Sequence, residues 1–319
     1  MPFFDLPQAQ LETYRSSAVK PADFDSFWDE TLSEARSHDL NPVFEKVDLG
    51  FELFETYDVT FSGFGGHRVK GWYIKPAGRE VSRCVVKFIG YGGGRDLPQL
   101  HLLWPSSGRA VFVVDTRGQG STWSVSDTPD PMGSDAAHPG FMTRGIMDRA
   151  TYYYRRVFTD GVRGVEAARS RSEIDPDRIV VTGGSQGGGI SVAVAGLDPR
   201  VWALMPDVPF LCDFPRAVGL ASRDPYGEIV RYLTAHRAKV DQAFSTLNYF
   251  DGVHFAARTK VPALYSVALM DDICPPSTVY AAFNAHAGRK AIETYRFNNH
   301  EGGGTLQERR QMAWLKELG

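Results

Sequence analysis

Ser185 sits in Gly183-Gly184-Ser185-Gln186-Gly187, directly after the apolar run Ile179-Val180-Val181 and before an Ala/Val-rich stretch. That order predicts a strand, a sharp turn and a helix. The Gly-x-Ser-x-Gly spacing is what a nucleophile elbow needs, because small flanking residues let the chain take the strained turn that lifts a serine hydroxyl above a parallel sheet. The chemistry on offer is attack on an acyl carbon. A phosphate-holding glycine turn is the competing reading, but no Gly-Lys-Ser/Thr of a Walker loop is present, and a dinucleotide fingerprint belongs on the first strand of its fold rather than past mid-chain.

An elbow also needs an acid, a histidine and an oxyanion hole, with the acid and histidine following the serine in chain order. Asp271 and Asp272 follow the apolar strand Ala263–Leu269, and His300 follows the alternating stretch Ile292–Phe297, so Ser185, Asp271 and His300 fall in that order. Asp271 could instead cap the helix expected near Pro276. Asp207, at the end of the expected sixth strand, is the second choice of acid; Asp272 points away from its neighbour, and His236 and His254 do not follow strands. Upstream, the buried run Cys84–Ile89 leads into Gly90-Tyr91-Gly92-Gly93-Gly94, an oxyanion loop in which the amides of Tyr91 and Gln186 would bind developing negative charge.

The segments Asp115-Thr116-Arg117-Gly118-Gln119-Gly120, Gly184-Ser185-Gln186-Gly187, Asp207-Val208-Pro209-Phe210 and Asn299-His300-Glu301-Gly302 together resemble the acetyl xylan esterase and cephalosporin C deacetylase family, carbohydrate esterase family seven. The likeness runs over nearly the whole chain. It implies an α/β-hydrolase fold, with Ser185 as nucleophile, Asp271 as acid, His300 as base, and Tyr91 with Gln186 as oxyanion donors. It implies removal of acetyl groups from small acetylated sugars or cephalosporin C through an acetyl-enzyme, no cofactor or metal, and a homohexamer whose sites face an interior cavity.

Composition is consistent with such an enzyme. A net charge of -3 in 319 residues leaves no electrostatic footprint for nucleic acid or an anionic membrane. Three cysteines do not make a disulfide framework, and no His-x-x-x-His or other ligand spacing marks a metal. The N-terminus lacks a basic segment followed by an apolar core, and no run of about 20 apolar residues could span a bilayer. A cytoplasmic protein is the expectation. Other readings compete: a serine peptidase of the prolyl oligopeptidase kind, for which the chain is short of a propeller domain; a general short-chain carboxylesterase on the same fold; a noncatalytic module, which would be expected to lack a triad member; and a metal-dependent deacetylase, whose ligand spacing is not found.

The elements that must position these residues read as a doubly wound, mostly parallel sheet in one domain over 1–319. An N-terminal helical extension occupies about 1–45, with a helix at 23–37, and a hairpin spans 55–74. Strands follow at 84–89, 110–115, 178–182, 201–206, 262–269 and 291–297, with a helix near 160–170. A last helix starts at Thr305 through a capping box to Glu308. Insertions at about 121–155 and 209–256 follow strand ends on the active-site side, where lids and specificity walls form. Tyr91, Phe210, Pro225, Ile273 and Cys274 are expected to line the pocket. The Tyr152-Tyr153-Tyr154 cluster reads as packing in preference to a sugar platform.

Overall fold

The computed structural model describes residues 3–133 and 135–319. Nine strands form one sheet: β1 (Val43–Val47), β2 (Phe54–Ser62), β3 (Arg68–Pro76), β4 (Cys84–Phe88), β5 (Ala110–Val114), β6 (Ile179–Gly184), β7 (Ala203–Asp207), β8 (Ala263–Ala268) and β9 (Lys290–Tyr295). Their spatial order is β1-β2-β3-β5-β4-β6-β7-β8-β9. The first three strands and the β3–β5 pair are antiparallel, and every pair from β5 to β9 is parallel. This is the expected α/β-hydrolase architecture.

Continuous β-branched runs form the central strands because both sheet faces are covered. On β4, Val86 enters the larger core cluster with the helices Phe24–Arg36, Tyr153–Arg169 and Gln186–Leu197. Its neighbour Val85 enters the second cluster with Trp104, Trp314 and Leu315. On β5, Phe112 and Val114 face the first cluster and Val111 and Val113 the second. The reactive loops therefore emerge together at the carboxyl ends of adjacent parallel strands, where open α/β sheets bind their ligands.

Strand boundaries differ from the expected ones by a residue or two, but three features differ more. The edge strand β1 lacks an alternating pattern, having two half-buried positions, Phe44 and Val47, spaced three apart in an exposed stretch, so periodicity could not reveal it. The helix expected near 160–170 begins at Tyr153, with its aromatic first turn inside the core. The last helix, Gly304–Leu318, starts without a side-chain cap: Gly303, at φ 91°, occupies the N-cap, and the Thr305–Glu308 capping box does not form. Gly302, Gly303 and Gly304 all have positive φ, so the chain returns from His300 by a glycine turn that leaves no place for Thr305 at the cap.

The elbow depends on backbone contact that only glycine permits. A Cβ at Gly187 would lie 2.3 Å from the carbonyl oxygen of Phe88, and one at Gly183 2.6 Å from the Gly187 carbonyl carbon. A Cβ at Gly184 would meet nothing within 4 Å. Gly187→Ala is therefore expected to destabilise the protein by about 1–3 kcal/mol through overpacking against β4, whereas Gly184→Ala should unfold close to wild type. Thermal or urea unfolding of the pair is the check, and equal stability of the two variants would contradict the packing argument.

Candidate active site

Ser185 joins β6 to the helix Gln186–Leu197 at φ 57° and ψ -119°, a sparsely populated conformation that costs roughly 1–3 kcal/mol. Three hydrogen bonds hold it. Its N–H donates to the Asp207 carbonyl at 2.9 Å, and its carbonyl accepts from Gly189 N at 3.0 Å and Phe210 N at 2.9 Å. Ser185 thereby faces a pocket of about 580 Å³ whose walls include Gly90, Tyr91, Trp123, Pro225, Ile273 and His300.

Asp271 and His300 meet although 29 residues separate them, His300 Nδ1 lying 2.9 Å from Asp271 Oδ2 and 3.1 Å from Oδ1. The two loops leave the adjacent strands β8 and β9 and are tied by Met270 N donating to the Asn298 carbonyl at 3.1 Å. Asp271 is fully buried, and its Oδ1 also accepts the N–H groups of Ile273 and Cys274, each at 2.9 Å. A carboxylate can only accept, so Nδ1 carries the imidazole proton and Nε2 is left able to take one. Within the His300 loop, Glu301 accepts from Asn298 Nδ2 and from Asn299 N at 3.0 Å, and Asn299 Oδ1 accepts from His300 N at 2.8 Å. Among the described residues no hydrogen bond joins Ser185 to His300; the two side chains share the pocket wall.

The other carboxylates are occupied elsewhere. Asp272 turns away to Arg223, 2.9 Å from its Oδ2. Asp207 is held by Gln307 Nε2 at 2.9 Å and Gln311 Nε2 at 2.8 Å, both on the last helix, and burial pushes its carboxyl up to about 7. His254 packs edge-on against Phe24, and His236 ends the helix Tyr226–Ala235. Asp271 makes no cap hydrogen bond to the helix starting at Pro276.

Two backbone amides are the expected oxyanion donors. Gln186 is the first residue of the elbow helix, where N–H groups lack intrahelical partners and the dipole is positive, and Tyr91 begins the glycine loop after β4. Among the described residues neither amide donates a hydrogen bond to another protein group. Their loops are joined underneath by a buried amide pair. Gln119 Nε2 donates to Gln186 Oε1 at 2.8 Å while Gln119 Oε1 accepts from Gly92 N at 2.7 Å. Tyr154 donates to Gln186 Oε1 at 2.9 Å, and Gln119 Nε2 also reaches the Tyr153 hydroxyl at 3.1 Å. The tyrosine cluster is thus core, as its composition suggested.

The expected pocket lining needs correction at two positions. Tyr91, Pro225 and Ile273 border the pocket, but Phe210 and Cys274 are fully buried. Phe210 lies behind the wall against Tyr91 and Tyr226, while Cys274 is buried beside the pocket, its thiol against the Ser185 side chain and within 4.8 Å of the Asp271 and His300 donor atoms. Trp123, which the sequence reading passed over, is 62% exposed and borders the pocket, its indole N–H donating to the Tyr91 carbonyl at 2.8 Å. It sits in an Asp/Pro/Gly/Ser-rich insertion without periodicity, so its only sequence signal was an isolated large aromatic in polar surroundings. Among the described residues one group has metal-ligand spacing: Asp271, Cys274 and His300, with donor atoms within 4.8 Å. Burial raises the Cys274 thiol far above its usual range and Asp271 is already saturated by N–H donors, so the set suits an acid–base pair better than a cation.

Comparison with known proteins gives the family of the chain. The acetyl xylan esterase family model matches residues 1–318. The chain belongs to that family. It is a carboxylic ester hydrolase. An acetyl xylan esterase from Paenibacillus sp. R4 is similar at 37% identity and a TM-score of 0.91, over 98% of this chain and 99% of that one. Acetyl xylan esterase 1 from Thermoanaerobacterium sp. JW/SL YS485 is 32% identical with a TM-score of 0.89, over 99% of each chain. Acetyl esterase Axe7A of Xylanibacter ruminicola is 28% identical over 312 residues, 96% of this chain and 69% of that protein. No helix among the described residues is long and apolar enough to cross a membrane.

Two predictions separate the carboxylates. Asp271→Asn should lower turnover by about 10⁴-fold, because an amide in place of the carboxylate favours the wrong imidazole tautomer, while Asp207→Asn should leave most activity; steady-state hydrolysis of an acetyl ester reads both. Asp207 also makes a pH claim. Its folded carboxyl titrates near 7 against an ordinary 3.8, so its contribution is fully favourable below about 4 and is lost as pH rises toward 7. Between those values the stability of wild type should decline with pH more steeply than that of Asp207→Asn, measured by urea unfolding at pH 5 and pH 8. Parallel profiles would contradict the burial of an uncharged Asp207.

Proposed function

We propose that this protein is a serine esterase that removes acetyl groups from small acetylated sugars, acetylated xylo-oligosaccharides among them, and from cephalosporin C. The observation that carries the reading is the strained Ser185 opening on the same pocket as a histidine whose Nδ1 is fixed by a buried carboxylate. His300 takes the Ser185 proton as Oγ attacks the acetyl carbonyl. The oxyanion sits on the Tyr91 and Gln186 amides, and the alcohol leaves with the proton returned by His300. Water, activated by the same imidazole, then releases acetate from the acetyl-enzyme. Asp271 holds the tautomer and stabilises the imidazolium.

The pocket's character supports a small polar ester over a long acyl chain. Its volume of about 580 Å³ is shared between apolar Trp123, Pro225 and Ile273 and polar Asp207, Gln307 and Glu308, a mix suited to a hydroxyl-rich leaving group. The named substrates of the relatives, acetyl xylan and acetyl esters, point the same way. A homohexamer and a cytoplasmic location complete the proposal.

Ser185→Ala should reduce turnover about 10⁴- to 10⁶-fold, the remainder coming from binding and the oxyanion hole alone. EDTA should have no effect. Retained activity in the alanine variant, or loss in EDTA restored by zinc, would sink the serine mechanism. Acetyl esters should be preferred over butyryl or longer ones, since one methylene excluded from a pocket can cost about 1–3 kcal/mol. Light scattering should give the mass of six chains, and a monomer preferring octanoate would refute both substrate and assembly.

A further inference from the structure

Glu228 is a buried carboxyl with no part in the acyl-transfer steps, yet it grips the residue expected to supply one oxyanion donor. Glycines surround Tyr91 on both sides, in Gly90-Tyr91-Gly92-Gly93-Gly94, so the backbone there has wide intrinsic freedom and only one side chain with which to restrain it. That side chain is pinned at its tip. The Tyr91 hydroxyl donates to Glu228 Oε1 at 2.7 Å and accepts from Phe141 N at 2.9 Å and Gly140 N at 3.3 Å. Glu228 Oε2 accepts from Met142 N at 3.1 Å. The ring is bracketed edge-on by Phe141 at 5.6 Å and Phe210 at 6.1 Å.

One carboxylate therefore joins three walls of the pocket that lie far apart in sequence. They are the oxyanion loop, the segment after His138 and Pro139, and the start of the helix Tyr226–Ala235 just past Pro225. On the other side of the loop, Trp123 holds the Tyr91 carbonyl and Gln119 holds Gly92 N. Those two points fix the peptide that follows Tyr91; the peptide that precedes it is tied by a 3.2 Å turn bond from Gly93 N to the Gly90 carbonyl, inside the glycine run itself, so the Tyr91 hydroxyl supplies its anchor outside the loop. We propose that Glu228 is a positioning residue for acetyl transfer, setting the direction of the Tyr91 amide through the Tyr91 hydroxyl. This rests on the reading of Ser185 as the esterase nucleophile.

The test uses the full-length protein and a p-nitrophenyl phosphotriester, whose adduct with serine places an oxygen in the oxyanion hole. Stoichiometric p-nitrophenol release counts competent sites, and its rate reports how well each site stabilises the negative charge that builds on the phosphoryl oxygen as serine attacks and p-nitrophenolate leaves. Tyr91→Phe and Glu228→Ala should slow this rate and lower kcat for p-nitrophenyl acetate per competent site by about 10- to 100-fold, with KM within about threefold, since a displaced oxyanion donor acts in the transition state. Glu228→Gln, whose amide oxygen still accepts from Tyr91, should recover to within about fivefold of wild type. If Tyr91→Phe keeps the wild-type rate per site and only the number of competent sites or Tm falls, Glu228 is merely structural and the inference is overturned. Full activity in Ser185→Ala would overturn the underlying reading of the site, and the inference with it.

Discussion

The site depends on one backbone conformation, the positive φ of Ser185. A non-glycine residue is held there only if its surroundings over-determine it, and here they do so by hydrogen bonds to the Asp207, Gly189 and Phe210 backbones. Those partners come from β7, the elbow helix and the loop beyond β7, so the strain at the serine is balanced by the packing of the whole central sheet. The same geometry places Ser185 on the wall of the pocket.

Around that fixed point, the polar groups are arranged by burial. Asp271 is stripped of water but accepts two backbone N–H groups and the imidazole, so its charge is compensated without a cation. Asp207 lies at the end of the strand beside the elbow and takes two side-chain amides in place of a charged partner, and burial prevails, leaving it with a raised carboxyl pKa. Two aspartates at comparable strand ends thus sit in different surroundings.

The Arg117-Gly118-Gln119 segment has a related role beneath the pocket. Arg117 is buried and bonds Asp160 Oδ1 at 2.6 Å, anchoring the loop after β5. Gln119 is thereby held where it can bond both Gly92 N and the Gln186 side chain, tying the glycine loop after β4 to the elbow. A buried network with its partners in place resists rearrangement. The two flanking amides are accordingly presented on a rigid frame.

What the sequence determined by itself was local: the glycine-serine turn, the apolar runs of the buried strands, and the placement of Asp271 and His300 after successive strands. Each is set by short-range sterics or by hydrophobic pattern, which a chain carries in its order of residues. Contacts across the fold were decided only by tertiary structure. Asp271 rather than Asp207 meets His300 because β8 and β9 are neighbours and their loops cross-bond, while Gln307 and Gln311 come back along the last helix to occupy Asp207. Phe210 falls behind the pocket wall and Trp123 enters it because their directions are set by packing on Tyr226 and by a bond to the Tyr91 carbonyl, contacts between segments that only the fold brings together. The grip of Glu228 on Tyr91 spans 137 residues and has no local signature at all.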